Sequence, residues 1–423
     1  MRANQFALYR FFHGVVLSTF VLSLMFSSQL SAQTTTEEKP TDKPAKKYDS
    51  AEINKLVNAA AQRLLDVQEE DGAWPYEGVY RVPPPGMRRP TRADYEIPVG
   101  YRIGGSSIVC SALISAKLKD RSSIEKSVTK CTELILKELE NPLMEPSIRN
   151  TYDVRVWGHI YALDYFCRLE KSSGFAELKK KTEPWIQKLV DAVVFQEIKS
   201  GGWNYANQRS HACFVTAPAI QALLLAKQQG YSVPEKVLGR GAKILTASRL
   251  EQKPGGFTYS GTRGTRDTVP GSIARGPVSE STLMMLGQGD EEKIQFAVNA
   301  FHEHWDELEK RRKKTGTHKP PHGVAPYYFY YGHRYAAQAI RMLPKDKQDA
   351  EFEKYVAVLM KTKDPDNTWN DRVFDRSKAY GTAMSLLALS RNNVLLPKKI
   401  ELKEESDEKE SDEKPTNDST DSH

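Results

Sequence analysis

Four short segments of this sequence share one kind of helix stop, in which a large aromatic residue follows a turn that is usually rich in glycine. The residues that define these stops are Gln68, Gly72 and Trp74; Gln196, Gly202 and Trp203; Gly256 and Phe257; and Trp369. Glycine ends a helix without a Cβ penalty because it readily adopts the left-handed backbone conformation. The aromatic ring then buries a large area against the helix end. The pattern predicts four helix ends of the same construction.

Each stop is preceded by a segment with an apolar stripe and a charged face, and is followed by a segment rich in small residues. The spacing from Trp203 to Phe257 is 54 residues, and the longer gaps of 129 and 112 residues each hold about two such units. The units in the long gaps pair 124–139 with 153–169, and 293–312 with 326–343. This periodicity predicts six helical hairpins and about twelve helices.

We therefore predict an all-α fold, an (α/α)6 toroid of two concentric rings. The segments with a charged face belong to the outer ring, since only one side of them is apolar. The segments rich in Ala, Ser, Thr and Gly belong to the inner ring, where helix backbones crowd. A central cavity would be lined by the starts of the inner helices and by the aromatic loops.

The two ends of the chain differ in composition from the middle. Residues 1–32 have a basic start, an apolar run and small residues before a cleavage site, which predicts a signal peptide and a secreted or periplasmic protein. An uncleaved membrane anchor is the alternative, although the apolar run is shorter than the roughly 20 residues of a membrane span. Residues 33–49 are interpreted as a polar linker, 50–393 as the toroid and 394–423 as a disordered charged tail.

The net charge of +7 gives little support to a nucleic-acid partner, because the lysines and arginines are scattered along an exported chain. A basic run at 309–319 is interpreted as a solvated helix end. The alternative is a contact with an acidic polymer or, peripherally, with a membrane surface. The sequence leaves the oligomeric state open.

The cysteines and histidines do not predict a metal site. Each of the four cysteines lies in an apolar helical pattern without CxxC spacing, and buried free thiols are favoured over disulfides, whose pairing the sequence leaves open. These cysteines are Cys110, Cys131, Cys167 and Cys213. His302 and His304 are two residues apart, so they point to different faces of a helix, and the set lacks the usual ligand spacing. No nucleotide-binding motif is present, and no cofactor is expected.

The segments that end at Trp74 and Trp203 resemble the glutamine–tryptophan (QW) repeats of the prenyltransferase and squalene-oxidase repeat proteins. That superfamily contains squalene–hopene cyclases, lanosterol-type cyclases and protein prenyltransferase β subunits. The resemblance covers about 50–392 and is best at 200–260. It implies an α/α toroid, and the chain looks most like exported bacterial members with a single toroid.

The catalytic residues of that superfamily do not carry over to this sequence. Hopene-type cyclases protonate an alkene with a DxDD motif, and prenyltransferases hold zinc with Asp, Cys and His. Neither signature occurs here, and the acidic segment 364–367 is interpreted as a turn because it contains proline. A terpene-cyclase activity is therefore not predicted.

Three acidic residues are weak candidates for catalysis. They are Asp153, Glu280 and Asp371. A helix cap or a helix-dipole partner is the alternative role for Asp153. Glu280 is expected to form a buried ion pair with Arg275, in preference to contacting a substrate. Two carboxylates that face each other across the cavity would support a polysaccharide hydrolase.

The predicted ligand contacts are aromatic, histidine and arginine residues near the starts of the inner helices. They are Trp157, His159, Tyr205, His211, Arg275, Tyr328, Tyr331, His333 and Tyr380. The densest group lies at 327–335, where four tyrosines in five positions cannot all face one side of a helix. Some of these side chains must therefore pack in the wall. Large amphipathic rings stack on sugars or shield isoprenoid chains, so both ligand classes stay open.

Three functions follow from these patterns. The leading hypothesis is an exported toroid whose aromatic cavity binds an apolar, isoprenoid-like or glycan ligand without terpene-cyclase catalysis. The second is a polysaccharide-active lyase or hydrolase on the same toroid, which depends on fold analogy. The third is a structural or interaction module whose cavity is filled by its own side chains.

Overall fold

A computed structural model describes the chain at residues 47–76, 80–81, 95–116, 118, 121–147, 154–205, 210–261 and 267–402. The predicted signal peptide, almost all of the linker, the last 21 residues from 403 onward and Asp153 lie outside these described residues. Within them the fold is all-α, as predicted. One short antiparallel pair of strands, β1 (Tyr80–Arg81) and β2 (Tyr95–Glu96), precedes the second helix.

Fourteen α-helices follow one another in the described part of the chain. They are α1 Ser50–Asp66, α2 Val99–Ser115, α3 Arg121–Leu139, α4 Arg155–Lys171, α5 Ala176–Phe195, α6 Cys213–Gln228, α7 Glu235–Ala247, α8 Val269–Ser272, α9 Gly276–Met285, α10 Glu291–Glu303, α11 Trp305–Glu309, α12 Tyr328–Met342, α13 Lys345–Met360 and α14 Lys378–Leu389. The short helices α8 and α11 are additions to the loops of the twelve-helix pattern.

Six helices form a closed inner ring in the order α2, α4, α6, α9, α12 and α14. Each packs against the next, and α14 packs against α2. Small residues allow this crowding. A Cβ on Gly100 would lie 2.5 Å from the carbonyl oxygen of Val154, at the close contact of α2 with the start of α4. The predicted toroid is therefore confirmed by closure of the ring.

The remaining long helices form the outer ring, and each packs behind one inner helix. Helix α3 packs on α2, α5 on α4, α7 on α6, α10 on α9, α13 on α12 and α1 on α14. The outer helices bury one face only. In α3, for example, the buried positions recur every three or four residues from Ile124 through Val128 and Ile135 to Leu139, as an amphipathic helix requires.

The stops predicted from the sequence share one set of hydrogen bonds. The indole N–H of Trp74, Trp203 and Trp369 donates to the backbone carbonyl 10 residues earlier, at 2.7, 2.7 and 3.3 Å. The backbone N–H of the same three residues donates to a serine or threonine hydroxyl on the following inner helix, at 2.9, 2.9 and 3.0 Å. Phe257, the aromatic residue of the third stop, has no ring donor and is fully buried. Each stop thus fastens an outer helix end to an inner helix.

The turn before each aromatic residue uses the left-handed backbone conformation. The residue two places earlier has a φ of 99° at Gly72, 96° at Gly201, 77° at Gly255 and 63° at Asn367. Gly202 has a φ of 77° as well. Asparagine tolerates this conformation better than most residues with a side chain. The fourth stop, which lacks glycine, therefore keeps the same turn.

The two glutamines of the stops bridge neighbouring elements. The Nε2 of Gln68 donates to the carbonyls of Gly72, at 2.9 Å, and of Ser127 on α3, at 3.0 Å. The Oε1 of Gln196 lies 2.9 Å from Nδ1 of His159 on α4. Gln68 therefore ties the first stop to the next outer helix, and Gln196 ties the second stop to the preceding inner helix.

Residues 391–402, which we call the C-terminal strap, run across the ends of the inner helices. Side chains of Arg341, Arg168 and Gln228 on α12, α4 and α6 donate hydrogen bonds to carbonyls in the strap. The N–H of Ile400 donates to the carbonyl of Met285 on α9, at 2.8 Å. The strap therefore continues past the predicted toroid boundary at 393 and contacts four of the six inner helices at their C-terminal ends.

The cysteines are buried free thiols, as the sequence favoured. Burial raises the pKa of Cys110, Cys167 and Cys213, so these thiols stay protonated and unreactive. No helix among the described residues combines the length and the apolar character that a membrane span needs.

Candidate functional site

Two helices on opposite sides of the inner ring face each other across its central space, which we call the lumen. Helix α4 carries Trp157, Tyr161, Asp164 and Arg168 at intervals of four, three and four residues, so these side chains share one face. Helices α4 and α12 are third neighbours in the ring of six. The Tyr335 hydroxyl on α12 lies close enough to Tyr161 to affect its pKa. These contacts define the lumen face of both helices.

One group of aromatic rings, the lumen aromatic cluster, consists of Tyr76, Tyr101, Trp157, Tyr161 and Tyr380. Ring centroids lie 4.0 Å apart for Tyr76 and Tyr380, and 5.9 Å apart for Tyr76 and Trp157. Trp157 also contacts Tyr101 at 5.4 Å and Tyr161 at 4.9 Å, both edge to face. Each ring is at most 7% exposed. The cluster joins the first stop, α2, α4 and α14.

A second group lies on the α6 and α12 side and consists of Tyr205, Phe214, Tyr259, Tyr327 and Tyr328. The Phe214 ring lies 5.3 Å from Tyr205, 5.4 Å from Tyr259 and 5.6 Å from Tyr328. The rings of Tyr327 and Tyr328 are 4.7 Å apart. These side chains come from the loops before the inner helices and from the first turns of α6 and α12.

Tyr331 connects the two groups. Its hydroxyl donates to the carbonyl of Phe214 at 2.7 Å, and its ring lies 4.7 Å from that of Tyr335. Burial raises the pKa of Tyr161 and Tyr331 well above the usual phenol range. These phenols therefore stay neutral at any physiological pH and form an uncharged surface.

The lumen changes character toward the strap, where four polar side chains, Asp164, Arg168, Arg334 and Gln338, form what we call the floor. The guanidinium of Arg168 donates two hydrogen bonds of 2.7 Å to the Asp164 carboxylate. Although burial opposes it, this carboxylate raises the pKa of Arg168. Arg334 and Gln338 on α12 are each 4% exposed and one helical turn apart.

Two of the predicted ligand contacts instead face the wall between the rings. His159 lies on the side of α4 away from the lumen, bonded to Gln196, and burial lowers its pKa to about 4. His211 Nε2 lies 3.2 Å from the Ser248 hydroxyl, and burial lowers its pKa also. Both rings are therefore placed to hold neighbouring elements together.

His333 has the same kind of position on α12. Its Nε2 accepts a hydrogen bond of 2.9 Å from the indole N–H of Trp305 on α11. It also packs against Phe301 of α10 and Tyr355 of α13, both in the outer ring. Burial lowers the pKa of His333 to about 3, so the ring is neutral.

The predicted ion pair between Arg275 and Glu280 is not formed. Both side chains are buried, but Arg275 contacts Asp267 at 2.9 Å, whereas Glu280 accepts two hydrogen bonds from Arg249, at 2.8 and 2.7 Å. Arg275 also donates to the backbone carbonyls of Phe257 and Thr258 at the third stop and to that of Gly271 in α8. Both partners, Asp267 and Arg249, come from the segment between α7 and α8, which supplies each charged side chain with an oppositely charged neighbour.

Of the two remaining acidic candidates, Asp371 alone lies within the described residues. Asp153 lies outside the described residues. Asp371, in the loop of the fourth stop, is fully buried, and its carbonyl accepts a hydrogen bond from the N–H of Lys313 at 2.9 Å. Among the described residues no group of three His, Cys, Asp or Glu side chains is placed to hold a metal ion.

Three cavities are described on the periphery of the toroid. The first, of about 780 Å³, lies between α1, α13 and the end of α14 and is lined by Phe352 and Arg391. The second, of about 340 Å³, contains His159 and Trp185, and the third, of about 520 Å³, adjoins the fourth stop at Arg372. All three lie outside the lumen aromatic cluster and the floor.

The sequence reasoning missed most of the floor and part of the aromatic cluster. Asp164, Arg168 and Gln338 received no role, and neither did Tyr76, Tyr101 or Tyr161. A signal was available in α4, because Trp157, Tyr161, Asp164 and Arg168 recur at helical spacing.

Comparison with known proteins identifies the fold. A solved structure of an inactive variant of the α-1,6-mannanase GH76A of Salegentibacter sp. HEL1_6, in complex with α-1,6-mannotriose, has a TM-score of 0.53 at 12% identity, over 80% of this chain and 99% of that chain. The type II terpene cyclase MstE from Scytonema has a TM-score of 0.49 at 14% identity, over 81% of this chain and 98% of that chain. The chain shares the toroid fold. At such identities the likeness shows the fold alone.

No protein-family model matches the sequence, and no curated protein does either. The mannanase likeness, at 12% identity, shows the fold and assigns no activity to this chain. The function therefore has to be argued from the side chains of this lumen.

Proposed function

We propose that the lumen binds an elongated apolar ligand of isoprenoid-like chemistry. The observation that carries the proposal is the lumen aromatic cluster, in which uncharged rings from four parts of the chain converge inside a closed ring of helices. Aromatic side chains supply large apolar contact areas, and apolar ligands gain most from such surfaces. Because a signal peptide is predicted, we propose that the ligand is bound in the periplasm or outside the cell.

An apolar ligand fits this surface better than a glycan. The rings of the cluster are phenols and an indole, with which an apolar chain gains contact area without needing hydrogen-bond partners. A glycan also needs hydrogen-bond partners for its hydroxyls, since polar groups buried without partners cost free energy. At the level of Trp157 the cluster offers phenols and an indole.

We propose binding without glycoside hydrolysis, because the carboxylates with described contacts are engaged by arginines. A hydrolase needs two carboxyl groups available to the scissile bond. Glu280 and Asp164, whose contacts are described, are each held by two hydrogen bonds from an arginine. An engaged carboxylate of this kind is poorly placed to act as acid or base.

The test uses farnesol as the apolar probe and α-1,6-mannotetraose as the glycan probe. Each is titrated into the purified full chain, with isothermal calorimetry and tryptophan fluorescence as readouts. We expect farnesol to bind and to change the fluorescence, and the glycan to give no heat. Trp157→Phe should keep farnesol binding but lose most of the fluorescence change.

Trp185→Phe is the matched control, because Trp185 is a half-buried tryptophan on the outer helix α5 that lines a peripheral cavity. This variant should keep the fluorescence change. The proposal fails if farnesol does not bind, or if Trp185 rather than Trp157 reports the binding. Binding of the glycan with a Trp157-dependent signal would favour the glycan hypothesis instead.

A further inference from the structure

Arg334 is a buried charge without a partner in the described protein. It is 4% exposed, and none of its N–H groups donates a hydrogen bond or forms an ion pair among the described residues. Its guanidinium lies over the face of Tyr335, whose ring centroid is 4.9 Å from Cζ. Buried charges are ordinarily paired, because desolvation of an unpaired ion is costly. An unpaired guanidinium inside a helix ring therefore indicates a missing anionic partner.

Gln338, one helical turn further along α12, is also a buried polar side chain without a hydrogen-bond partner among the described residues. Its amide is 4% exposed, and both Nε2 and Oε1 are buried without a hydrogen-bond partner among the described residues. Buried side-chain amides in native proteins are nearly always bonded. Residues four apart in a helix share a face, so the two unsatisfied groups lie side by side.

The rest of the floor is already neutral. Asp164 and Arg168 compensate each other through two hydrogen bonds, and the strap accepts a further hydrogen bond from Arg168. Arg334 and Asp164 both lie close enough to the Tyr335 hydroxyl to affect its pKa, so these groups belong to one contiguous patch. The floor therefore has one uncompensated positive charge, at Arg334.

We propose that the floor is a binding subsite for a carboxylate, and that the ligand of the lumen is an apolar monocarboxylic acid. This inference depends on the proposed function, since the lumen aromatic cluster would hold the apolar part of the same molecule. Arg334 donates to the carboxylate oxygens through its planar fork, and Gln338 donates through Nε2. The Oε1 of Gln338 is turned away from the carboxylate oxygens, since both are acceptors, and accepts from a water.

The charge of the floor selects a monoanion. A single guanidinium balances one negative charge, whereas a diphosphate carries more charge than Arg334 can compensate. Asp164 would also repel a highly charged anion from the same patch. A carboxylate with an apolar chain satisfies both the floor and the aromatic cluster above it.

The experiment compares farnesoic acid, farnesol and farnesyl diphosphate, which share a carbon skeleton, by calorimetry at pH 8. We expect the wild-type chain to bind the acid at least tenfold more tightly than the alcohol or the diphosphate. Arg334→Gln should weaken binding of the acid by about 10- to 100-fold, because a charged hydrogen bond is lost. The same change should alter farnesol binding by less than about threefold. Arg121→Gln, the same substitution on the exposed face of α3, should change neither.

Two further variants keep the test decisive if Arg334→Gln folds poorly. Arg334→Lys keeps the charge and should retain part of the preference for the acid, whereas Gln338→Leu should reduce it; circular dichroism at 222 nm checks that each variant is folded. If wild-type protein binds farnesol but does not prefer the acid, the carboxylate subsite is wrong and the proposed function stands. Preference for the diphosphate also overturns the subsite as stated. If neither farnesol nor the acid binds, both proposals fall.

Discussion

Replacing Arg334 by methionine should stabilise the ligand-free protein. The wild-type side chain places a charge in the lumen without an anionic partner among the described residues. Methionine has a similar length and no charge, so it removes the desolvation cost and can still pack against the Tyr335 ring. Binding residues often reduce stability in this way, because they are selected for contacts with a ligand.

The size of the effect follows from two opposing contributions. An unpaired buried ion costs several kcal/mol even after relaxation of its surroundings. The contact of the guanidinium with the ring of Tyr335, at 4.9 Å, returns about 0.5–2 kcal/mol. Their difference predicts that Arg334→Met raises the free energy of unfolding by about 1–3 kcal/mol.

The assay is urea unfolding of the ligand-free chain, followed by circular dichroism at 222 nm. Arg168→Met is the matched control, because it removes a buried arginine that does have a partner. It leaves the Asp164 carboxylate uncompensated and should destabilise the protein by about 3–5 kcal/mol. The reasoning is refuted if Arg334→Met lowers the midpoint as Arg168→Met does, since Arg334 would then have a structural partner.

Three other outcomes are expected. Asn367→Gly should raise the free energy of unfolding by about 0.5–1 kcal/mol because φ is 63° there, whereas Gly201→Ala, with φ at 96° and the new Cβ 2.9 Å from a side chain, should lower it by more than 1 kcal/mol; urea titrations compare the two. His333 has a pKa of about 3 in the folded protein against 6.5 for the free side chain, so the folded state binds fewer protons. Stability should be complete above pH 6.5 and fall toward pH 3, and His333→Phe should make the slope between pH 6 and 4 shallower by about 1.4 kcal/mol per pH unit, measured by urea titrations at several pH values. Truncation after residue 390 should lower the melting temperature because Arg168 and other donors lose their strap acceptors, whereas truncation after 402 should leave it unchanged in thermal scans.

The ring could be predicted from the sequence because its determinants are local. A left-handed turn, an aromatic residue two places later and a following segment of small residues are all written within about 20 residues of each other. Even the fourth stop follows the rule, since Asn367 takes the conformation that glycine takes elsewhere. Periodic local signals of this kind specify repeats well.

The candidate site was harder to predict from the sequence than the ring, because it depends on contacts between distant helices. Arg275 and Glu280 are five residues apart and of opposite charge, but loops that the pattern does not position supply their partners, Asp267 and Arg249. His159 and His333 carry the chemistry of a binding site, yet helix rotation turns both toward the wall. The isolation of Arg334 is a property of what surrounds it, and no feature of the α12 sequence encodes that.

Closure of the ring determines the order in which its contacts can form during synthesis and folding. The first helix, α1, packs on the last one, α14, and α14 in turn packs on α2. Helix α1 therefore cannot make its contacts with α14 until the segments between them have been synthesised. Contacts between such remote ends form slowly, because a very long loop must close first. A polypeptide of this kind is expected to keep its ring open until α14 is available to pack on α1 and α2.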